Sequence, residues 1–402
     1  MNFSKTTLAI ALGAALALTT GSQLVPNVQA QSANHAQVSE TVWHDDKRAM
    51  DKTVGELMAK MTLEEKIGQM NLLTSGWDVT GPSMSDDYLE QIEAGNVGGI
   101  FNAFTADYTR KLQKVAVEET RLGIPLLFGY DVIHGHRTIF PISLGEAASW
   151  DLAAIKRGSE VAAAEAAADG IHWTFAPMVD IARDPRWGRV SEGAGEDVFL
   201  ATEIAKARVA GFQGNSLMDT DTVLACAKHY AAYGQAQAGR DYSTTNMSER
   251  ELWDTYLPPF KALNEMGVAT FMTSFNELNG IPATGNNYLL QDVLKGRWGF
   301  EGFVVTDYTS INEMIPHGYA ADLEHAAEIA LKAGVDMDMQ GEAYVKTLQQ
   351  ALEKGTVTEA EIDDAVKRIL EMKYRLGFVR RPLSLFRQRT GEVGYRQTGV
   401  SG

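Results

Sequence analysis

Short apolar runs that end in polar residues recur along the chain. Gly302-Phe-Val-Val-Thr-Asp307-Tyr308 reads as a fully buried strand that closes on a carboxylate. The run from Pro125 ends in Asp131, and the run from Val223 ends in the pair Lys228-His229. The runs Ala269–Asn276 and Val335–Met339, the second with Asp338, also finish on polar groups. A carboxylate at the end of a buried strand is costly unless something pairs or uses it. The pattern predicts strands near 97–101, 125–131, 172–181, 223–229, 269–276, 302–308 and 335–339. Helical spacing falls between them, near 107–121, 151–169, 197–213, 248–266, 287–296, 322–333, 344–354 and 359–375. Before the first strand, a helical pattern starts at Lys52, and Thr62-Leu-Glu-Glu65 is a capping box opening another helix. Strands alternating with helices imply βαβ units and parallel pairing. Polar chemistry repeated at strand ends points to an α/β protein: a single-domain, TIM-type (β/α)8 barrel. No GxGxxG follows the first strand, which argues against a dinucleotide-binding sheet.

Charge narrows the partners. The net charge of -16 argues against nucleic acid, because phosphate contacts need clustered Lys and Arg. Residues 1–30 carry Lys5, the apolar run Leu8–Leu18 and the small-x-small site Val28-Gln29-Ala30, which read as a secretory signal peptide. The expected location is periplasmic or secreted. No later apolar stretch is long enough to span a membrane. Residues 31–46 are polar and read as a disordered linker, 47–378 as the barrel, and 379–402 as an irregular tail. Cys226, the only cysteine, sits inside an apolar run and reads as a small buried hydrophobe rather than a nucleophile. The spacings of HExxH, EF-hand or Cys/His sites do not occur, so neither a metal nor another cofactor is expected.

Several segments are long and specific. They are Lys228-His229-Tyr-Ala-Ala-Tyr-Gly234, Asp184-Pro-Arg186-Trp-Gly-Arg189 with Glu192 and Gly195-Glu196-Asp197, Asp131-Val-Ile-His134-Gly135, Met272-Thr-Ser-Phe-Asn276-Glu-Leu-Asn279-Gly280, and Gly302–Asp307. Together they resemble glycoside hydrolase family 3, most closely its periplasmic bacterial β-glucosidase type. The resemblance runs from about Trp43 to Gly377. It implies retaining, exo-acting hydrolysis of β-linked glucosides or gluco-oligosaccharides, with Asp307 as catalytic nucleophile. It also implies that Asp131 accepts sugar hydroxyls and that Arg189, Lys228 and His229 donate to the same sugar. Of Arg186 and Arg189, the reading favours Arg189 at the sugar and gives the other an internal carboxylate such as Asp184 or Glu196. His134 and His136 read as structural. An ionised nucleophile needs cations or donors beside it to keep its pKa low, and Lys228 and Arg189 are the candidates.

The chain departs from the family pattern in two ways. Tyr308 stands after the nucleophile where the family often has Trp, which keeps an aromatic face for a sugar. Retaining glycosidases also need a second carboxyl group roughly 5 Å from the first. Two-domain relatives take that acid/base Glu from a following domain. Single-domain N-acetylhexosaminidases use a His-Asp pair in the loop after the Lys-His motif, and here Tyr230–Asp241 contains no His after His229. The sequence reading therefore expects a truncated β-glucosidase without its acid/base residue. Its rivals are an inactive sugar-binding or unstable fragment and a single-domain β-N-acetylhexosaminidase. The tail from Val379 turns Arg-rich and loses all period. With one choice of codons, removing a single T turns it into Gly-Leu-Phe-Asp-Asp-Pro-Tyr, the continuation relatives show. A frameshift is thus expected there, against a genuine but unusual tail.

Overall fold

The structure, a computed structural model, describes residues 46–78, 81–83 and 86–379. The expected signal peptide, the linker up to residue 45 and the tail from residue 380 lie outside the described residues. Parallel strands dominate: β1 (Asn71–Thr74), β2 (Gly99–Phe101), β3 (Leu127–Tyr130), β4 (Trp173–Thr174), β5 (Cys226–Tyr230), β6 (Thr270–Thr273), β7 (Phe303–Val305) and β8 (Asp338–Met339). They form a five-stranded parallel sheet in the order β8-β1-β2-β3-β4 and a three-stranded parallel sheet in the order β7-β6-β5. The register pairs Asn71 with Asp338, Leu72 with Gly99, Gly99 with Leu127 and Gly129 with Trp173 in the first sheet, and Cys226 with Thr270 and Thr270 with Phe303 in the second. Single parallel bridges, Trp173 to Leu224 and Val305 to Met337, touch the edges of both sheets. The protein is thus an α/β fold with a parallel half-barrel sheet and helices between strands, as alternation in the sequence implied.

Side chains from different strands fill the interior. Trp173 of β4 is fully buried, donates from Nε1 to Thr270 Oγ1 of β6 at 2.9 Å, and meets Phe303 of β7 edge-on at 5.1 Å between ring centroids. Strands buried on both faces read as continuous apolar runs, which is why the sequence shows them so clearly. Outside, the helices Leu152–Ala168 and Val198–Gln213 are rich in alanine and pack closely. A Cβ on Gly211 would stand 2.6 Å from Lys156 O, so only glycine permits that approach. Cys226 is fully buried and burial pushes its thiol up to about 12, which leaves it inert as a nucleophile.

The predicted capping box is present: Glu65 N donates to Thr62 Oγ1 at 3.3 Å and Thr62 N donates to Glu65 Oε2 at 2.9 Å. Several elements differ from expectation, three of them informatively. Strand β1 was not foreseen, because Met70-Asn-Leu-Leu continues the apolar spacing of the helix Leu63–Gln69 without a turn signal. The helix expected over 248–266 is three pieces, Glu249–Glu251, a π-turn over Leu252–Tyr256, and Pro258–Glu265. Pro258 cannot donate to a preceding turn, so the third piece starts afresh with proline at its first position. Glu277–Leu278 and Ile281–Pro282 form a small hairpin across Asn279-Gly280. Both turn residues have positive φ, 51° and 84°, as a two-residue primed turn requires. No helix among the described residues is long and apolar enough to cross a membrane.

Candidate active site

The sequence-predicted residues meet at the C-terminal ends of the strands. Asp131 follows β3, Lys228 and His229 belong to β5, and Asp307 lies two residues beyond β7. Arg189 comes from the 3-10 turn Gly188–Glu192, in the connection after β4. Successive strand residues normally face opposite ways. Between Ala227 and Tyr230 the β5–β6 register slips, with one more residue on β5 than on β6. Such a bulge re-aims side chains, and here both Lys228 and His229 serve the same site.

Lys228 Nζ donates to Asp131 Oδ1 at 2.8 Å; the ammonium is almost buried while half of the Asp131 side chain is exposed. Burial works to lower the Lys228 pKa, but the charges of Asp131 and Asp307 outweigh it and hold the ammonium above its ordinary value. Asp307 is anchored through Oδ1, which accepts from Tyr308 N at 2.7 Å. Its Oδ2 is buried, has no hydrogen-bond partner among the described residues, and stands 3.5 Å from His229 Nε2. The expectation that cations would hold this carboxyl low is corrected by the structure. Burial pushes it up to about 6 and the charges of Lys228 and Arg189, with the Tyr308 N–H, only partly offset that. At neutral pH the group remains mainly ionised.

The sequence reading made His229 a donor to the sugar; the structure encloses it among protein groups. Its side chain is 0% exposed and both ring nitrogens are engaged. Nδ1 lies 2.8 Å from Asp180 Oδ2, and Nε2 lies 3.0 Å from Arg189 Nη2. Burial drives the ring's pKa well below its usual value, so the imidazole is neutral. Burial likewise pushes Asp180 up to about 7 against the pull of the His229 N–H and Arg189. Arg189 donates to Glu192 through Nε at 2.7 Å and Nη2 at 3.0 Å, and its guanidinium lies over Tyr233, 5.6 Å from the ring centroid. Arg186 turns away to Asp184, with contacts of 2.6 to 3.2 Å. Arg186 thus spends its contacts on Asp184, while Arg189 stays beside His229 in the strand-end cluster.

Sequence reasoning missed Asp180 altogether. Its run, Pro177-Met-Val-Asp180, lies beside β5, with Val179 N donating to Lys228 O at 2.7 Å, so that Asp180 ends level with His229. A charged residue inside a predicted strand was the only signal. Glu192 was visible in its motif, but its role needed the geometry. The other polar strand ends do not join the site. Asn276 Nδ2 reaches Thr245 Oγ1 at 3.2 Å, and Asp338 Oδ2 accepts from Ala343 N at 2.7 Å, holding the loop that opens the next helix. His134 and His136 are structural: His134 Nδ1 lies 3.0 Å from Phe140 O and His136 Nε2 2.7 Å from Asp169 Oδ2. Tyr308 is about half exposed beside Asp307 and meets Phe101 edge-on at 6.2 Å.

Carboxylates and cations gathered at the C-terminal ends of parallel strands mark an α/β-fold enzyme whose active site lies at the strand ends. The chain belongs to glycosyl hydrolase family 3 through that family's N-terminal domain, which matches residues 62–372. It is 46% identical over 336 residues to a periplasmic beta-glucosidase of Salmonella typhimurium, across 84% of this chain and 43% of that protein. A lysosomal beta glucosidase of Dictyostelium discoideum is 33% identical over 367 residues, across 83% of this chain and 45% of its own length. A beta-glucosidase mutant from Listeria innocua, solved in complex with laminaribiose, superposes with a TM-score of 0.79 at 38% identity, covering 86% of this chain and 49% of that one. The chain thus spans less than half the length of these two curated relatives.

Proposed function

We propose that the protein is a retaining, exo-acting β-glucosidase in which Asp307 attacks the anomeric carbon of a β-glucoside. The observation that carries this reading is the free Oδ2 of Asp307, set among cations with Oδ1 anchored by Tyr308 N. The exposed face of Asp131 accepts two sugar hydroxyls, a suitable role for an ionised carboxylate with several lone pairs. Lys228 and Arg189 donate to the same sugar, with His229 beneath them. Holding the glycone in this way makes attack effectively intramolecular. The acid/base role is assigned to none of the described residues. Beta-glucosidase relatives support the glucoside substrate, and solved relatives were captured with glucose and with laminaribiose.

The strands are read as a closed (β/α)8 barrel, supported by the two bridges between the sheets and by Trp173 packing across the interior. Residues 1–30 are read as an export signal, supported by the periplasmic relative.

The test is pre-steady-state release of dinitrophenol from dinitrophenyl β-D-glucoside, whose leaving group needs no acid. A burst of about one equivalent per chain, absent from Asp307→Ala, is expected for a covalent glycosyl-enzyme. A folded wild-type protein with neither burst nor turnover would sink the reading. The matching aryl xyloside and aryl N-acetylglucosaminide decide the sugar.

A further inference from the structure

We propose that Asp180 and His229 form a positioning pair for Arg189, so that Nη1 alone of its guanidinium is presented to the glycone. This deepens the glucosidase reading and rests on it for the identity of the ligand.

The argument is one of donors and acceptors. A guanidinium has N–H groups only and accepts nothing. The 3.0 Å contact between Arg189 Nη2 and His229 Nε2 is therefore an N–H donated to the ring's lone pair. A neutral imidazole has one donor and one acceptor nitrogen, so the proton sits on Nδ1. Nδ1 donates in turn to Asp180 Oδ2 at 2.8 Å, and the same oxygen accepts the His229 backbone N–H at 3.0 Å. The hydrogen bonds thus run in one direction, from Arg189 through the ring to Asp180. The second Nη2 proton and the Nε proton go to Glu192. Nη1 takes part in none of these three bonds.

The rival tautomer would place a proton on Nε2, aimed at Asp307 Oδ2. That distance is 3.5 Å, too long for a normal bond, and the same proton would oppose the Nη2 proton of Arg189. Tyr233 packs edge-on to His229 at 5.3 Å and lies under Arg189, so both groups rest on the same ring. His229, fully enclosed, then works on the ligand through Arg189. Replacing the Asp180 carboxyl by an amide, whose nitrogen can turn toward the ring as a donor, frees the ring to adopt the other tautomer, and Arg189 loses an anchor.

Two measurements test this on the full chain. Long-range proton–nitrogen NMR reads the tautomer of His229, assigned through its contacts with the Tyr233 ring. A protonated Nδ1 and bare Nε2 are expected; a protonated Nε2 overturns the proposal. The wild-type spectrum decides by itself, so a variant that fails to fold leaves the test intact. The second measurement is a double-mutant cycle on kcat/KM for dinitrophenyl β-glucoside. Asp180→Asn is expected to lower it between about 2-fold and about 100-fold, and to cost little further in an Arg189→Lys background. Additive losses would show that Asp180 does not act through Arg189. If the wild-type chain has no glucosidase activity, the functional reading fails while the NMR result still decides the pair.

Discussion

Asp307 Oδ2 stands 3.5 Å from Nε2 of His229, yet the two do not share a hydrogen bond, because Nε2 accepts from Arg189 instead. The nucleophile's attacking oxygen is thus left without a partner, inside a wall of engaged groups. A buried carboxylate oxygen in that state carries an energetic cost, and consequences for rate and for stability follow from it.

The first concerns rate. Asp307 must be ionised to attack, and burial pushes its pKa up to about 6. The burst rate with dinitrophenyl β-glucoside should rise with pH, with its midpoint near 6, and then level off. A rate unchanged between about pH 4 and pH 8 would show that Asp307 titrates elsewhere or is not the attacking group.

The second concerns stability. The folded state holds the Asp307 proton more tightly than the unfolded chain, whose carboxyl titrates near 3.8. Stability therefore falls as pH rises from about 4 to about 6, and the full penalty persists above that window. Asp307→Asn removes the charge and keeps the shape. It should stabilise the fold at pH 7 by on the order of 1 to 3 kcal/mol, a typical trade between active-site function and stability. Urea unfolding of both proteins checks this, and the gain should vanish near pH 4.

The two neighbouring arginines should behave differently. Arg186 is largely exposed and spends its contacts on Asp184. Arg186→Ala should change glucose binding by less than about 0.5 kcal/mol. Arg189→Ala removes a charged donor and should weaken binding by about 1.5 to 3 kcal/mol, or roughly 10- to 100-fold. Calorimetric titration with glucose separates them; equal losses would contradict the assignment of Arg189.

Far from the site, Lys373 is fully buried, with Nζ on Gln69 Oε1 at 2.6 Å and Gly98 O at 2.9 Å. Neither acceptor is charged, and burial lowers its pKa to about 7. The unfolded chain holds that proton up to about 10.5. Stability should therefore rise from about pH 7 upward, by on the order of 1 kcal/mol per unit. Lys373→Met should remove this contribution to the slope. Chemical denaturation at about pH 7 and pH 9 compares the two; identical slopes would mean that Lys373 titrates normally.

Much of this was readable in the chain. Strands buried on both faces must be apolar throughout, so β2 to β8 are visible as short runs with polar ends. The Thr62–Glu65 box is local chemistry and appears as expected. Asp131, Lys228 and Asp307 stood out because charge at the end of such a run has no structural excuse. β1 escaped because four residues after a helix carry no period of their own. The break at Pro258 was written in the sequence, but the helical spacing around it hid the consequence.

What the sequence determined by itself was the alternation of strands and helices and which strand ends carry charge, since both depend on periodicity and on neighbours along the chain. Only the tertiary structure decided that Asp180 lies beneath His229, that Glu192 and not Asp184 holds Arg189, and that burial outweighs two cations in setting the Asp307 carboxyl. Hydrogen-bond direction and desolvation depend on groups brought together from distant segments, such as His229 and Asp307, and those encounters have no trace in the local sequence.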